Sequence, residues 1–315
     1  MKHGTSSNVK AQPLNNKQRR ALNPHVSCYR VADNWEGLCV FLYRLTGLFL
    51  ATTLLTCLAA AQSQPLRSQS ASLAPMSAPT EQRGENSLHV VDLTHVINTN
   101  TPTWEGDQGE YRYEKLTSIA KDGYFSGAFR IPEHFGTHID APAHFIEGGP
   151  TIEKLSPEHL ILPAVVIDVR KEVAENPDYE LSVEKITDWE RRGKITPGCA
   201  VLLLTGWGKR YNDVDSYRNP DNRKHMHFPG YSAEAAKYLV QERGVAGLGI
   251  DTLSIDPGQS ETFPVHKEAL GHDLFLIENL TNLDLLPSRG ILLFCGALPI
   301  QGGSGCPARV LAIVD

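Results

Sequence analysis

Six short apolar runs follow one another along the chain after residue 87: Leu88–Leu93, Ala164–Val169, Ala200–Thr205, Ala246–Ile250, Ile291–Ala297 and Val310–Val314. Their length and their content of β-branched residues predict strands. Helical signals fall between several of them. Ser156-Pro157-Glu158 offers a capping residue, a proline at the first helical position and an acid in the first turn. Ser182 is placed to cap a helix over Val183–Arg192 that stops at Gly193, and Ser232 a helix over Ala233–Arg243 that stops at Gly244. Strands alternating with helices predict an α/β, or mixed α+β, domain. Internal repeats and heptads are absent.

The pattern is different before residue 87. Lys2, Lys10, Lys17, Arg19, Arg20 and Arg30 precede Arg44, and an uncharged run, Leu45–Ala61, follows it and ends on Ala59 and Ala61. A basic flank, an apolar stretch and a small-residue exit resemble a secretory signal peptide. Membrane spans need ~20 apolar residues, more than this run offers before its small residues. Residues 1–61 are therefore expected to direct export, to a periplasm or out of the cell, with an uncleaved membrane anchor as the alternative. Residues 62–86 are rich in Ser, Gln, Ala and Pro and predict a flexible linker. The folded body is then residues 87–315, roughly 230 residues, enough for one large core.

Charge divides along the same line. Residues 1–61 carry seven basic and two acidic side chains, a net of +5, so the overall −6 leaves −11 on the remainder. An acidic body is a poor partner for nucleic acid, which recruits basic footprints. Cys28, Cys39 and Cys57 lie in the leader, and the odd set Cys199, Cys295 and Cys306 reads as buried thiols, not as a disulfide framework. Gly302-Gly303-Ser304-Gly305 lacks the lysine of a phosphate-binding loop and predicts a tight turn.

Dense chemistry occurs at His134-Phe-Gly-Thr-His138-Ile-Asp140-Ala-Pro-Ala-His144, where three histidines and an aspartate fall within 11 residues. Imidazole and carboxylate together suit Zn, Mn or Fe. His134 and His138 would share a face in a helix, and His138 and Asp140 would share one in an extended stretch. Gly136 and Pro142 favour a turn or an irregular loop over a long helix. An isolated loop histidine is usually a surface or packing residue, but four metal-competent groups this close point to a metal.

The stretch H-x-G-T-H-x-D-x-P-x-H resembles the signature of the cyclase family, which includes bacterial kynurenine formamidases and isatin hydrolases. Other features agree in order: Asp92-Leu93-Thr94 with Pro102-Thr103-Trp104-Glu105-Gly106-Asp107, where Glu105 replaces the usual proline; Gly249-Ile250-Asp251-Thr252-x-Ser254-x-Asp256; and the closing Gly302-Gly303-Ser304-Gly305-x-Pro307-x-Arg309. The resemblance spans residues 88–315, and its closing segment is nearer the isatin-hydrolase type. It implies a swivelling β/β/α domain that forms homodimers or higher homo-oligomers. It implies a first divalent metal, Mn²⁺ or Zn²⁺, on His134, His138 and Asp140, and a second shared with His266 and Glu278 where two are bound. It implies that His144 is the acid/base.

The expected activity is hydrolysis of a small aromatic amide, either a cyclic amide such as isatin or an aryl formamide. Trp104, Phe135 and Phe228 are the aromatic candidates for substrate contact, with core packing as the alternative for each. A non-catalytic metal- or ligand-binding protein on the same fold is the second reading. His225 and His227 are expected to lie in a mobile loop over the substrate.

Overall fold

The predicted strands close into a barrel. A computed structural model describes residues 88–104 and 111–314; the leader, the linker and Glu105, Gly106 and Asp107 lie outside the described residues. The chain enters on β1 (His89–Asp92), then forms a hairpin of β2 (Arg112–Thr117) and β3 (Ser126–Arg130) joined through the short helix α1 (Ile119–Asp122). Next come β4 (His138–Asp140), β5 (Ile161–Asp168), α2 (Arg170–Glu175), β6 (Glu180–Leu181), α3 (Val183–Glu190) and β7 (Ala200–Leu204). They are followed by α4 (Val214–Arg218), β8 (Gly230–Tyr231), α5 (Ala233–Lys237), β9 (Gly247–Ile250), α6 (Pro264–Leu270), β10 (Phe275–Glu278), β11 (Ile291–Ala297) and β12 (Gly305–Val314). The main sheet runs β1-β12-β11-β5-β7-β9-β10-β4, and β4 pairs back onto β12 to close it. The strands β5, β7, β9 and β10 are parallel to one another, whereas β4, β11, β12 and β1 join antiparallel.

Two cores follow from the alternation of side chains along these strands. Ala164, Val166, Leu202, Phe275, Ile277, Ile139 and Val310 fill the barrel. Their neighbours Val165, Ile167, Val201, Leu203, Leu248 and Leu276 point outward and pack under Ile186, Ala235, Leu239 and Val265 of the covering helices. Both faces of the parallel strands are therefore buried, so they read as continuous apolar runs. The expectation of one large core resolves into these two. Mixed helix and sheet content agrees with the predicted fold class.

The capping signals act as expected at two of three places. The Ser182 hydroxyl accepts from Lys185 N–H and starts α3, and Ser232 accepts from Ala235 N–H and starts α5. Beyond Lys237 the helix widens into a π-helical turn over Tyr238–Glu242. Pro157 starts only a single 3₁₀ turn, Pro157–Leu160, because the chain must turn at once into β5. Cys199, Cys295 and Cys306 are buried free thiols.

A candidate metal centre beside an aromatic cavity

Strand parity assembles the site. Ile139 points into the barrel, so its neighbours His138 and Asp140 on β4 both face outward. On the adjoining strand β10, Ile277 points inward and Glu278 outward, and Glu278 is the register partner of His138. Helix α6 covers this face and brings His266 over it. His134 arrives from the loop before β4, where Gly136 takes a left-handed φ of 65° that glycine adopts without strain. His144 ends a 3₁₀ turn, Pro142–His144, just beyond β4.

Five groups meet there. His134 Nδ1 lies 2.6 Å from Asp140 Oδ1. His138 Nε2 lies 3.2 Å from Asp140 Oδ1 and 3.4 Å from Glu278 Oε2. His266 Nε2 lies 3.2 Å from Glu278 Oε1 and 3.5 Å from Asp140 Oδ2. His134, His138 and Asp140 offer ligand atoms within 4.8 Å of one another, and so do Asp140, His144 and His266. His144 thus stands within ligand reach as well, with its ring stacked on His134 at 3.8 Å between centroids.

The donor chemistry of this set fits a cation. His138 Nδ1 donates to the Gly136 carbonyl at 2.9 Å, which leaves Nε2 as the bare nitrogen of the neutral ring. His266 Nδ1 is spoken for by the Asp256 carboxylate at 2.6 Å, which again leaves Nε2 bare. Bare nitrogens and carboxylate oxygens are all acceptors, and here they point at one another. Asp140 Oδ2 is buried with no hydrogen-bond partner. Only positive charge relieves such a cluster. In its absence the imidazoles themselves must carry the charge. Burial pushes His138 down, but Asp140 and Glu278 outweigh it and hold its pKa at about 10. His266 is raised in the same way against its burial, and the histidines hold Asp140 well below the usual carboxylate range despite its burial. A divalent cation in place of those protons would be held by acceptors such as His134, His138 and Asp140, whose ligand atoms lie within 4.8 Å of one another.

Second contacts lock the set in place. Ile255 N–H donates to Glu278 Oε1 at 2.8 Å. The fully buried Asp256 accepts from Val265 N–H and His266 N–H and so caps α6 as well as orienting the His266 ring. Thr137 donates to the Asn279 carbonyl at 2.6 Å and accepts from His95 N–H, tying the histidine loop to the end of β10.

A cavity of about 440 Å³ opens onto these groups. Trp104, Phe145, Phe263 and Leu253 form its apolar wall, and His134, His138, His144, His266, Glu278 and Asn279 its polar floor. Trp104 meets Phe263 at 5.7 Å between centroids, and Phe263 meets Phe145 at 5.5 Å. The Arg218 guanidinium binds the Thr103 carbonyl and fixes the loop that carries Trp104. Trp104 therefore stands on the cavity wall. Phe135 and Phe228 are not on the wall. Both are buried in the core, and Phe228 supports Trp104 from behind, edge to face at 6.2 Å. Phe145 and Phe263 take the positions expected of them. His227 is not a free loop side chain: its Nδ1 binds the Asp178 carboxylate at 2.9 Å.

Comparison with known proteins agrees with this geometry. The Cyclase family model matches residues 91–257. The isatin hydrolase of Roseibium aggregatum is 34% identical over 245 residues, which cover 72% of this chain and 92% of that protein. The chain belongs to the cyclase family. Within that family, the kynurenine formamidase of Bacillus cereus is 27% identical over 226 residues, covering 70% of this chain and 95% of its own length. Among solved cyclase-family structures, isatin hydrolase A from Ralstonia solanacearum superposes with a TM-score of 0.69 at 36% identity, covering 72% of this chain and 92% of that one.

Proposed function

We propose that this protein opens a small cyclic amide of the isatin type, with a divalent metal on His134, His138 and Asp140, a second shared with His266 and Glu278 where two are bound, and proton transfer at His144. Hydrolysis of a carbon–nitrogen bond other than a peptide bond is the reaction class of the relatives named above. The observation that carries the reading is the meeting of an acceptor-only cluster with an aromatic-walled cavity.

A divalent cation in that cluster supplies a Lewis acid for the amide carbonyl and draws the pKa of water toward ~7. The protein's own residues do the rest. Trp104, Phe145 and Phe263 clasp a flat ring and keep bulk water from it. Burial lowers the His144 pKa to about 4, so its imidazole is neutral at physiological pH. A His144 ring nitrogen takes a proton from the attacking water, then returns it to the amide nitrogen as the carbon–nitrogen bond breaks. Asn279 and His144 sit on the same cavity floor, so the polar end of the substrate lies beneath the aromatic wall.

The reading includes a homodimer and export. Support for the dimer is the β2–β3 hairpin, where Tyr113, Leu116, Phe125 and Phe129 are each at least half exposed. Support for export is the basic, apolar leader before residue 62. Light scattering tests the first, and cell fractionation with N-terminal sequencing of the mature chain tests the second.

The central experiment assays the full chain on isatin and on an aryl formamide, before and after chelation and with Mn²⁺ or Zn²⁺ restored. Ring opening of isatin is expected to vanish with the metal and return with it. His144→Ala is expected to lower kcat by about 10²–10⁴-fold with metal content unchanged. Turnover that survives complete metal removal, or a His144→Ala variant with undiminished kcat, would overturn the reading.

A further inference from the structure

We infer that Glu133, acting through Ser304, sets the tautomer of His134 and aims its Nδ1 lone pair at the metal, which makes Glu133 and Ser304 positioning residues of the site. The inference rests on the proposed role of His134 as a ligand and adds how that role is enforced from outside the cluster.

One chain of hydrogen bonds runs inward from Glu133 to Asp140. Ser304 lies in the turn between β11 and β12. Glu133 Oε2 receives the Ser304 N–H at 2.9 Å and the Ser304 hydroxyl at 2.6 Å. An ionised carboxylate can only accept, and a hydroxyl has one proton, so the Ser304 proton points at Glu133. The Ser304 oxygen then faces His134 Nε2, 2.9 Å away, with lone pairs alone. His134 must be the donor in that contact, so Nε2 carries the ring's proton. Nδ1 is left bare, 2.6 Å from the carboxylate oxygen of Asp140. Two acceptors at that separation require a positive charge between or beside them. The Glu133–Ser304–His134 chain of hydrogen bonds thus specifies which nitrogen of His134 is open to a cation.

The geometry that transmits this is tightly built. The Ser304 carbonyl accepts Ala141 N–H at 2.9 Å, and Gly305 is the register partner of Asp140, so the turn is stitched to β4 on both sides of the hydroxyl. A Cβ on Gly305 would lie 2.5 Å from His134 Cε1, so the turn presses directly on the ring and only glycine permits it.

The test measures metal binding, not turnover. The full chain and its variants Ser304→Ala, Ser304→Thr and Glu133→Gln are titrated with Zn²⁺ and Mn²⁺ by calorimetry or chelator competition, and the ¹⁵N shifts of His134 are read in the zinc-loaded protein. Ser304→Ala and Glu133→Gln are expected to weaken binding about 10–100-fold, with metal-free melting temperatures near that of the parent. Ser304→Thr, which keeps the hydroxyl, is expected to bind within a few-fold of the parent. Glu133→Gln is the more telling variant, because its amide N–H₂ can donate to Ser304 Oγ and reverse the chain. In the parent, His134 is expected to show a ligated Nδ1 and a protonated Nε2. Parent-like affinity in both weakened variants, or ligation through Nε2, overturns the inference and leaves the ligand role of His134 standing. Absence of stoichiometric metal in the parent overturns that role and the inference with it.

Discussion

The Asp256 carboxylate holds His266 at both its backbone and its ring: Oδ2 lies 3.1 Å from the His266 amide nitrogen and 2.6 Å from Nδ1. Oδ1 adds the Val265 N–H at 2.9 Å. One buried side chain therefore starts α6 and fixes which nitrogen of His266 faces Glu278. Asp256→Asn keeps the shape of the side chain and one accepting oxygen but replaces the other with an N–H₂, so it can no longer accept from Val265 N–H, His266 N–H and the His266 ring together. It is expected to lower metal affinity about 10–100-fold, while the metal-free protein melts within a few degrees of the parent. Unchanged affinity by titration calorimetry would show that His266 is oriented by other contacts.

Metal and fold are expected to be linked. Asp140 and Glu278 are buried together, and their repulsion is relieved in the metal-free protein mainly by protons on the neighbouring histidines. Metal at a hundred times its dissociation constant stabilises the folded state by about 2.7 kcal/mol, which for a body of this size corresponds to roughly 5–10 °C in melting temperature. Differential scanning calorimetry with chelator and with Mn²⁺ or Zn²⁺ checks it. The shift should disappear in His138→Ala. A shift of equal size in that variant would place the stabilising ion elsewhere.

What could be read from the sequence divides by range. The strands β5, β7 and β9 are legible because burial on both faces makes them nearly unbroken apolar runs, and β11 because its run stays apolar even where Leu292 and Phe294 are exposed. The His134–His144 stretch is legible because its groups are close in sequence and its spacing matches a known signature. The β2–β3 hairpin is not, because Arg112-Tyr113-Glu114-Lys115-Leu116-Thr117 leaves both faces largely exposed and carries no burial pattern. Glu133 and Ser304 are 171 residues apart, so no local pattern joins them, although each sits beside a quoted motif residue. Phe263 had one local signal: it precedes Pro264, which starts α6, and it takes a left-handed φ of 50° as the capping residue. Phe228 sits near the Trp104 wall but faces the core, a distinction that only packing decides.

The Glu190–Arg243 pair predicts an acid-side loss of stability. Glu190 is buried, Arg243 binds both its carboxylate oxygens at 2.7 and 2.9 Å, and Ile195 N–H and the Tyr238 hydroxyl add to them. The Arg243 hydrogen bonds lead in holding the Glu190 pKa at about 2. A folded-state pKa below the ordinary value means that the stabilisation is fully present above about pH 4.5 and is lost as the pH falls toward 2. Arg243→Met is therefore expected to cost about 2–3 kcal/mol at pH 7, tempered because Arg243 itself is partly solvated. The cost should shrink steadily between pH 4.5 and pH 3. Urea unfolding of parent and variant at several pH values measures it, and a pH-independent difference would assign the loss to packing alone.

The cavity wall and the core behind it should respond differently to the same truncation. Phe263 and Trp104 line the cavity, whereas Phe228 is fully buried behind Trp104. Phe263→Ala removes a face on which a flat substrate lies, so it is expected to raise KM about 5- to 20-fold, in line with ~1–2 kcal/mol for one aromatic contact. It should relieve the left-handed backbone at 263 only slightly, because alanine is also strained there. Phe228→Ala leaves a hole among Tyr217, Tyr231 and Ile255, and a truncation of this kind costs about 3–5 kcal/mol. Its first effect is on melting temperature, and its effect on KM comes through the loss of support for Trp104. Steady-state kinetics and thermal unfolding on both variants separate the two. If Phe263→Ala left KM unchanged for an aromatic amide while Phe228→Ala raised it without loss of stability, the substrate would lie on the other side of Trp104.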